Sequence, residues 1–287
     1  MDLSDFNVTI AGLGLIGGTY ALGIKKMNPK NLWGVDLSEK TLEKALEMGV
    51  IDEGFTDPSE VLPESDIVIV AIYPGATEEF IISNMDKFKP GAVITDGVGI
   101  KTHILKTVNE HLRDDIDFIG GHPMAGKEVG GLENAELEMF KDANYLITPT
   151  EKNKEENIKL IEDIARGIGF GHVERTTPET HDENIAYVSQ LPHIVAVGMV
   201  NCKDVEDVDF YAGGSYRDTT RIARINSELW TELFIKNKEK LVEQIDLFLD
   251  YTENLRNAIN DEDEEEVKRI LHESFERKGS SKNGKER

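Results

Sequence analysis

The chain has 287 residues, with 55 acidic against 32 basic side chains, a formal net charge of −23. Such a surface repels nucleic acid and anionic lipid, so neither is an expected partner. A single cysteine, Cys202, excludes an internal disulfide and the usual four-cysteine zinc sites, and no apolar run approaches the roughly 20 residues of a membrane span. The start, Met1-Asp2-Leu3-Ser4-Asp5, lacks the basic-then-apolar pattern of a signal peptide, so a cytoplasmic location is expected. An anionic substrate would need a local positive pocket, which draws attention to well-placed arginines.

Asn7-Val8-Thr9-Ile10-Ala11 reads as a buried strand running into Gly12-Leu13-Gly14-Leu15-Ile16-Gly17-Gly18. This is a G-x-G-x-x-G that opens a helix reaching about Lys26. In such a unit Gly12 makes the tight turn and Gly14 admits a pyrophosphate. Leu15 and Ile16 follow in the first helical turn, and Gly17 lets helix and strand pack closely. A second strand, residues 31–35, ends at Asp36, about where a ribose-binding carboxylate is expected; Asp36 also suits an ordinary helix N-cap. A carboxylate there repels a 2′-phosphate, and Leu37-Ser38-Glu39 offers no arginine to hold one, so NAD is expected over NADP.

The alternation continues. Ser38 caps a helix to about Met48, residues 66–71 form a central strand, and Tyr73-Pro74 lies along the cofactor crevice or simply makes a turn. A helix over residues 76–88 and a strand over 92–95 lead to Asp96-Gly97-Val98-Gly99-Ile100-Lys101. Lys101 reads more readily as a solvated helix residue than as a site cation. His103 and His111, on the next helix, read as surface residues. Residues 116–119 form a strand ending at Gly120, followed by Gly121-His122-Pro123-Met124-Ala125-Gly126-Lys127-Glu128. A glycine-rich turn at a strand's carboxyl end is where open α/β sheets bind ligands, and His122 there titrates near neutral pH, as a general base requires. Taken alone, the same stretch also reads as a turn with an incidental histidine. A strand over 144–148, a charged amphipathic helix over 153–168 and a strand over 171–175 close the sheet.

After Pro178 the alternation stops and helices follow. Residues 179–202 are apolar on most sides, so burial is expected, in part against another subunit. Pro192 should kink this helix and free carbonyls near His193, which is either a site residue or a core histidine satisfied by one backbone partner. Ala212-Gly213-Gly214-Ser215-Tyr216-Arg217-Asp218-Thr219-Thr220-Arg221-Ile222-Ala223 suggests a ligand loop entering a helix, with Arg217 and Arg221 one turn apart. Trp230 reads as core or interface. Two amphipathic helices, about 237–259 and 261–277, precede a polar, disordered end from 278 to 287.

These blocks, in this order, resemble the prephenate/arogenate dehydrogenase family of tyrosine biosynthesis, from about Val8 to Trp230. The resemblance rests on Gly12 to Gly18, Gly120 to Gly126, Leu191-Pro192-His193 and the stretch from Gly213 to Ala223. It implies an α/β Rossmann-type doubly wound domain over 1–176, an all-α helical domain over 177–278 that builds a homodimer, and a tail over 279–287. It implies NAD-dependent oxidative decarboxylation of prephenate, with His122 as catalytic base. By the same resemblance Arg221 anchors a substrate carboxylate, His193 is a second active-site histidine, and Glu128, Gln190 and Gly214 line the substrate. Trp230 reaches the partner subunit's site. Gly12, Gly14, Leu15, Ile16, Gly17, Asp36 and Tyr73 hold the cofactor.

Two departures stand out. Gly99 occupies a position where many members carry a serine near the catalytic histidine, and Gln190 stands where many carry a histidine. The second leaves prephenate against arogenate open, since the two differ by a keto group against an ammonium. Neither a chorismate mutase segment before Val8 nor a regulatory domain after the helices is expected, so any tyrosine feedback is expected to act at the active site or an interface. Two other classes fit the Rossmann half. A 3-hydroxyacid dehydrogenase relies on a lysine in its helical domain, and none lies between Arg175 and Cys202. A non-catalytic NAD-binding regulator has no need of His122 and Arg221.

Overall fold

The structure is a computed structural model and describes residues 2–280. An eight-stranded sheet has the order β3-β2-β1-β4-β5-β6-β7-β8. Its strands are β1 (Asn7–Ala11), β2 (Asn31–Val35), β3 (Glu53–Phe55), β4 (Ile67–Val70), β5 (Val93–Asp96), β6 (Asp117–Pro123), β7 (Asn144–Thr148) and β8 (His172–Arg175). All neighbours are parallel except β6 and β7. The crossing helices are α1 (Leu15–Lys25), α2 (Glu39–Glu47), α3 (Pro74–Ser83), α4 (Thr102–Asn109) and α5 (Glu155–Gly167).

Strand periodicity explains the double winding. Ile67 and Ile69 of β4 enter one apolar cluster with Tyr20, Ile24, Ile158 and Ile161. Val68 and Val70 enter the other, with Ile81, Ile104 and Val108. Alternate residues of one strand face opposite sides, so a run of apolar residues is what a strand covered on both faces requires. The expected α/β Rossmann-type architecture is therefore present, with the carboxyl ends of β1, β2, β4, β5 and β6 forming one rim.

The remaining helices are α6 (Pro178–Ile185), α7 (Leu191–Asn201), α8 (Val208–Tyr211), α9 (Gly214–Thr220), α10 (Ser227–Lys236), α11 (Lys238–Asn260) and α12 (Glu264–Ser280). α6 packs against α4, and α10 against α3. As a result the chain forms one compact unit through Lys238, and the segment from Glu239 onward forms a second. That second unit is a helical hairpin of α11 and α12 with Leu247, Leu249, Ile259, Leu271 and Phe275 exposed. Among the described residues no helix is long and apolar enough to cross a membrane.

Several local expectations change. The 116–119 strand does not end at Gly120. Antiparallel pairing with β7 carries it to Pro123, with His122 opposite Leu146, so His122 sits on a strand rather than in a turn. The helix expected over 76–88 begins earlier, at Pro74, and gives way after Ser83 to a 3₁₀ turn, Met85–Lys87. The missing N–H of Pro192 is accommodated by a π-helical turn, Ala186–Gln190, just before α7. The apolar faces of residues 179–202 are not all covered within the chain, since Tyr187, Val188, Met199 and Val200 are exposed. Residues 278–280 of the expected disordered end instead continue α12; the rest of it, 281–287, lies outside the described residues.

Candidate active site

Between β1 and α1, Gly12 has φ +87°, and a Cβ there would lie 2.7 Å from the Ala71 carbonyl oxygen. A Cβ on Gly17 would lie 1.8 Å from the Gly12 carbonyl oxygen, so both positions admit only glycine. Gly14 is different: nothing lies within 4 Å of its Cβ position, and no side chain caps the first turn of α1. Leu15 and Ile16 begin that turn. With no side-chain cap, its first N–H groups are left for a ligand, which suits a pyrophosphate. The Asp36 carboxylate accepts hydrogen bonds from Leu13 N and Ser38 N, each at 2.9 Å, and so is fixed at the end of β2 beside the glycine turn. The helix cap is Ser38, whose hydroxyl accepts from Thr41 N, which leaves Asp36 for another task. Tyr73, between β4 and α3, accepts a hydrogen bond from Asn226 Nδ2 at 2.7 Å.

Behind His122 lies a buried polar cluster that the sequence reading missed. Asp96, the last residue of β5, accepts from Val98 N at 2.9 Å, Gly121 N at 3.1 Å and the Lys101 ammonium. Lys101 is fully buried, which corrects the expectation of a solvated residue. Burial pulls its pKa down, opposed by Asp96 and Asp182. On α6, Asp182 accepts from Lys101 N and Thr102 N, both at 2.8 Å, and so covers the N-terminus of α4. Asp182 Oδ1 also lies 2.7 Å from His181 Nδ1, and His181 Nε2 lies 2.8 Å from His122 Nδ1. Burial pushes the Asp182 pKa up, but hydrogen bonds from His181 and Thr102 outweigh it and leave the carboxyl below its ordinary value.

His122 itself is held well below the ordinary histidine range, by burial first and then by the charges of His181 and Lys101. It is therefore neutral at neutral pH. Its Nε2 points toward Gly99, whose Cβ position is 3.5 Å away. Among the described residues no protein group hydrogen-bonds that nitrogen. A serine at 99 would fit sterically and bring a hydroxyl to Nε2, so glycine here leaves the nitrogen to a ligand.

The facing side is more open. Arg221, at the end of α9, pairs with Glu128 from the loop after β6. His193 is half-buried on α7, donates its Nδ1 proton to the Ser189 carbonyl at 2.8 Å, and packs on Trp230 with ring centroids 3.7 Å apart and planes tilted by 34°. Burial lowers its pKa, so its Nε2 is an acceptor. Trp230 packs on a histidine of its own chain. Gly214 and Arg217 are exposed on α9. Gln190 departs from expectation. It is 1% exposed, its amide nitrogen donates to the Leu233 carbonyl and its oxygen accepts from Asn237. Both ends of the amide tie the π turn to α10, so it braces the site from behind rather than reading a substrate. His103 and His111 are exposed or surface-paired, as expected.

Residues 20–174 match the prephenate dehydrogenase nucleotide-binding domain, and residues 177–273 match the prephenate dehydrogenase dimerization domain. This chain belongs to the prephenate dehydrogenase family. It is an NAD-dependent oxidoreductase. A Bacillus subtilis (strain 168) prephenate dehydrogenase is 31% identical over 274 residues, covering 92% of this chain and 73% of that protein. The crystal structure of prephenate dehydrogenase from A. aeolicus, in complex with hydroxyphenyl propionate and NAD+, superposes with a TM-score of 0.88 at 29% identity, covering 96% of this chain and 98% of that one. A Synechocystis arogenate dehydrogenase structure gives 0.81 at 27% identity, covering 96% and 99%.

The structure places Arg221 against Glu128 and His193 against Trp230. His181 and Asp182, behind His122, are not singled out in the sequence. The His-Asp pair was visible after the Thr177-Pro178 helix start, but nothing in its spacing links it to a histidine 59 residues earlier.

Proposed function

We propose that this enzyme oxidatively decarboxylates prephenate, with NAD as hydride acceptor, to 4-hydroxyphenylpyruvate and carbon dioxide. The observation that carries this reading is the neutral His122, its Nε2 free at the rim beside Gly99 and its other nitrogen held from behind. Gly12, Gly14, Leu15, Ile16, Gly17, Asp36 and Tyr73 hold the cofactor: the glycine turn and helix N-terminus take the pyrophosphate, and Asp36 takes the ribose hydroxyls. NAD, when bound, supplies the oxidising power.

His122 Nε2 accepts the proton of the ring hydroxyl as the hydride leaves the same carbon. The carbonyl so formed draws in the electron pair of the breaking ring–carboxylate bond. Carbon dioxide departs, the ring becomes aromatic, and the proton on His122 returns to the phenolate. Arg221 grips a substrate carboxylate; because its partner Glu128 is a surface carboxylate, the exchange costs little. The His193–Trp230 pair and the backbone at Gly214 complete the wall. Functionally, residues 1–176 hold the cofactor and supply His122 and Glu128 to the substrate, and 177–278 supply Arg221 and the homodimer surface. The exposed apolar side chains of α7, α11 and α12 are the surfaces a second copy would cover. The cytoplasm, where an exposed Cys202 stays a thiol, is the compartment we assign.

Arogenate is the second reading, favoured by Glu128 beside Arg221: a carboxylate next to the carboxylate anchor can take an ammonium. NADH formation, followed by absorbance with each substrate and with NAD and NADP, tests both. Turnover of prephenate with NAD supports the first reading; turnover of arogenate alone transfers the role to the second. Silence with both removes the proposal.

A further inference from the structure

The cluster behind His122 has a donor and acceptor logic that fixes more than position. Asp182 receives Lys101 N and Thr102 N, each at 2.8 Å. Burial opposes it, but hydrogen bonds from His181 and Thr102 hold the carboxyl below its ordinary pKa, so it is ionised and only accepts, and the hydrogen bond to His181 Nδ1 at 2.7 Å must be donated by the imidazole. His181 is 2% exposed and lies near the buried Lys101 ammonium. A second proton on this ring would place two cations together in a dry site. His181 is therefore neutral, with its single proton on Nδ1, and its Nε2 is a bare acceptor. That nitrogen lies 2.8 Å from His122 Nδ1, so the proton between them belongs to His122. His122 then has its proton on Nδ1 and its lone pair on Nε2, the nitrogen beside Gly99.

We propose that His181, oriented by Asp182, is a positioning residue that sets the tautomer of His122 and presents Nε2 as the base. The proposal rests on the reading of His122 as proton acceptor. The opposite tautomer, which exposed histidines in water populate more, would put a proton on Nε2 and block it. The same chain stabilises the step itself. When Nε2 takes the hydroxyl proton, the imidazolium keeps its Nδ1–H hydrogen bond to His181, and the Asp182 charge lies one ring beyond. This is the role of the carboxylate in a serine-hydrolase triad, extended by one imidazole.

The ring-nitrogen spectrum of the whole enzyme tests it, from long-range proton–nitrogen NMR with His122 assigned by His122→Asn. Both His122 and His181 are expected as the Nδ1-protonated tautomer at neutral pH. In His181→Leu, His122 should shift toward the Nε2-protonated form. Its kcat should fall about 10- to 100-fold, with KM and NAD binding nearly unchanged. In His181→Gln a carboxamide oxygen can again accept the Nδ1 proton, so the tautomer and much of kcat should return. A wild-type His122 protonated on Nε2 overturns the proposal. So does a kcat loss in His181→Leu that leaves the tautomer unchanged and that His181→Gln does not restore, because that is the behaviour of a packing role. Should the leucine variant fail to fold, the wild-type spectrum and the glutamine variant decide. A His122→Asn enzyme with full kcat would remove the base reading instead, and the wild-type spectrum would still answer the tautomer question.

Discussion

Asp96, Lys101, His181 and Asp182 are buried and joined by hydrogen bonds, whereas Arg221 and Glu128 face each other with side chains 63% and 38% exposed. The two halves of one site are built for different work. In the buried half an unpaired charge or unmet donor is costly, so each group has a partner and each partner dictates a protonation state. In the open half an ion pair contributes roughly 0–1 kcal/mol, so it can be exchanged for a substrate carboxylate without unfolding anything. The contrast suggests that chemistry is fixed at the back and binding is negotiated at the front.

The strongest way to break the comparison is at His122. His122→Asn is expected to lower kcat by about two to four orders of magnitude with NAD affinity kept, measured by steady-state NADH formation and cofactor titration. Near-normal turnover would remove the buried half from the mechanism. Next in size is packing. A Cβ on Gly121 would lie 2.2 Å from the Tyr145 hydroxyl and 2.8 Å from the Asp96 carbonyl oxygen. Gly121→Ala should therefore destabilise the fold by about 1–3 kcal/mol, while Gly126→Ala, with nothing within 4 Å in the open loop, should change it by less than about 0.5. Equal denaturation midpoints for the two would erase the distinction.

At the front, Arg221→Ala should raise the substrate KM about 10- to 100-fold, the scale of a charge-assisted hydrogen bond, and leave kcat within a few-fold. A kcat loss with unchanged KM would move Arg221 to the chemical step. The pH dependence sharpens the same division. His122 and His181 both have pKa values below the ordinary range in the folded enzyme, chiefly from burial. Catalysis should therefore persist as pH falls through about 6.5, the ordinary histidine value, and fail only when the depressed His122 pKa is reached. Stability has the matching sign. The unfolded chain takes up these protons first, so the contribution is present above about 6.5 and is lost as pH falls toward the folded values. A kcat/KM limb at or above 6.5 would contradict the half-buried, neutral base. At the front pair itself, Glu128→Gln should shift stability by less than about 1 kcal/mol by chemical denaturation. A larger change would mean that the front pair is structural.

Most of the frame was legible because it is local. The Gly12 to Gly17 spacing, the apolar run of β4 and the Ser38 cap each act within a turn or a strand, so the order of residues contains them. The front of the site was legible as a set of residue types: an imidazole after a glycine pair at 120 and 121, and an arginine after a glycine pair at 213 and 214. The misjudged residues share one cause. Lys101 follows a strand end, where sequence patterns favour a solvated side chain; its burial depends on Asp96 and Asp182 arriving from other elements. Gln190 stands beside Leu-Pro-His in sequence, but Leu233 and Asn237 claim its amide.

By itself, then, the sequence determined the doubly wound sheet and the NAD-binding glycine turn, and it singled out His122 as the proposed base. The tertiary structure decided where β6 ends, because only its antiparallel partner β7 keeps the strand going as far as His122 and Pro123. It also decided the protonation of that base. A histidine's tautomer depends on what meets each ring nitrogen, and His181 reaches Nδ1 only once α6 has packed against α4.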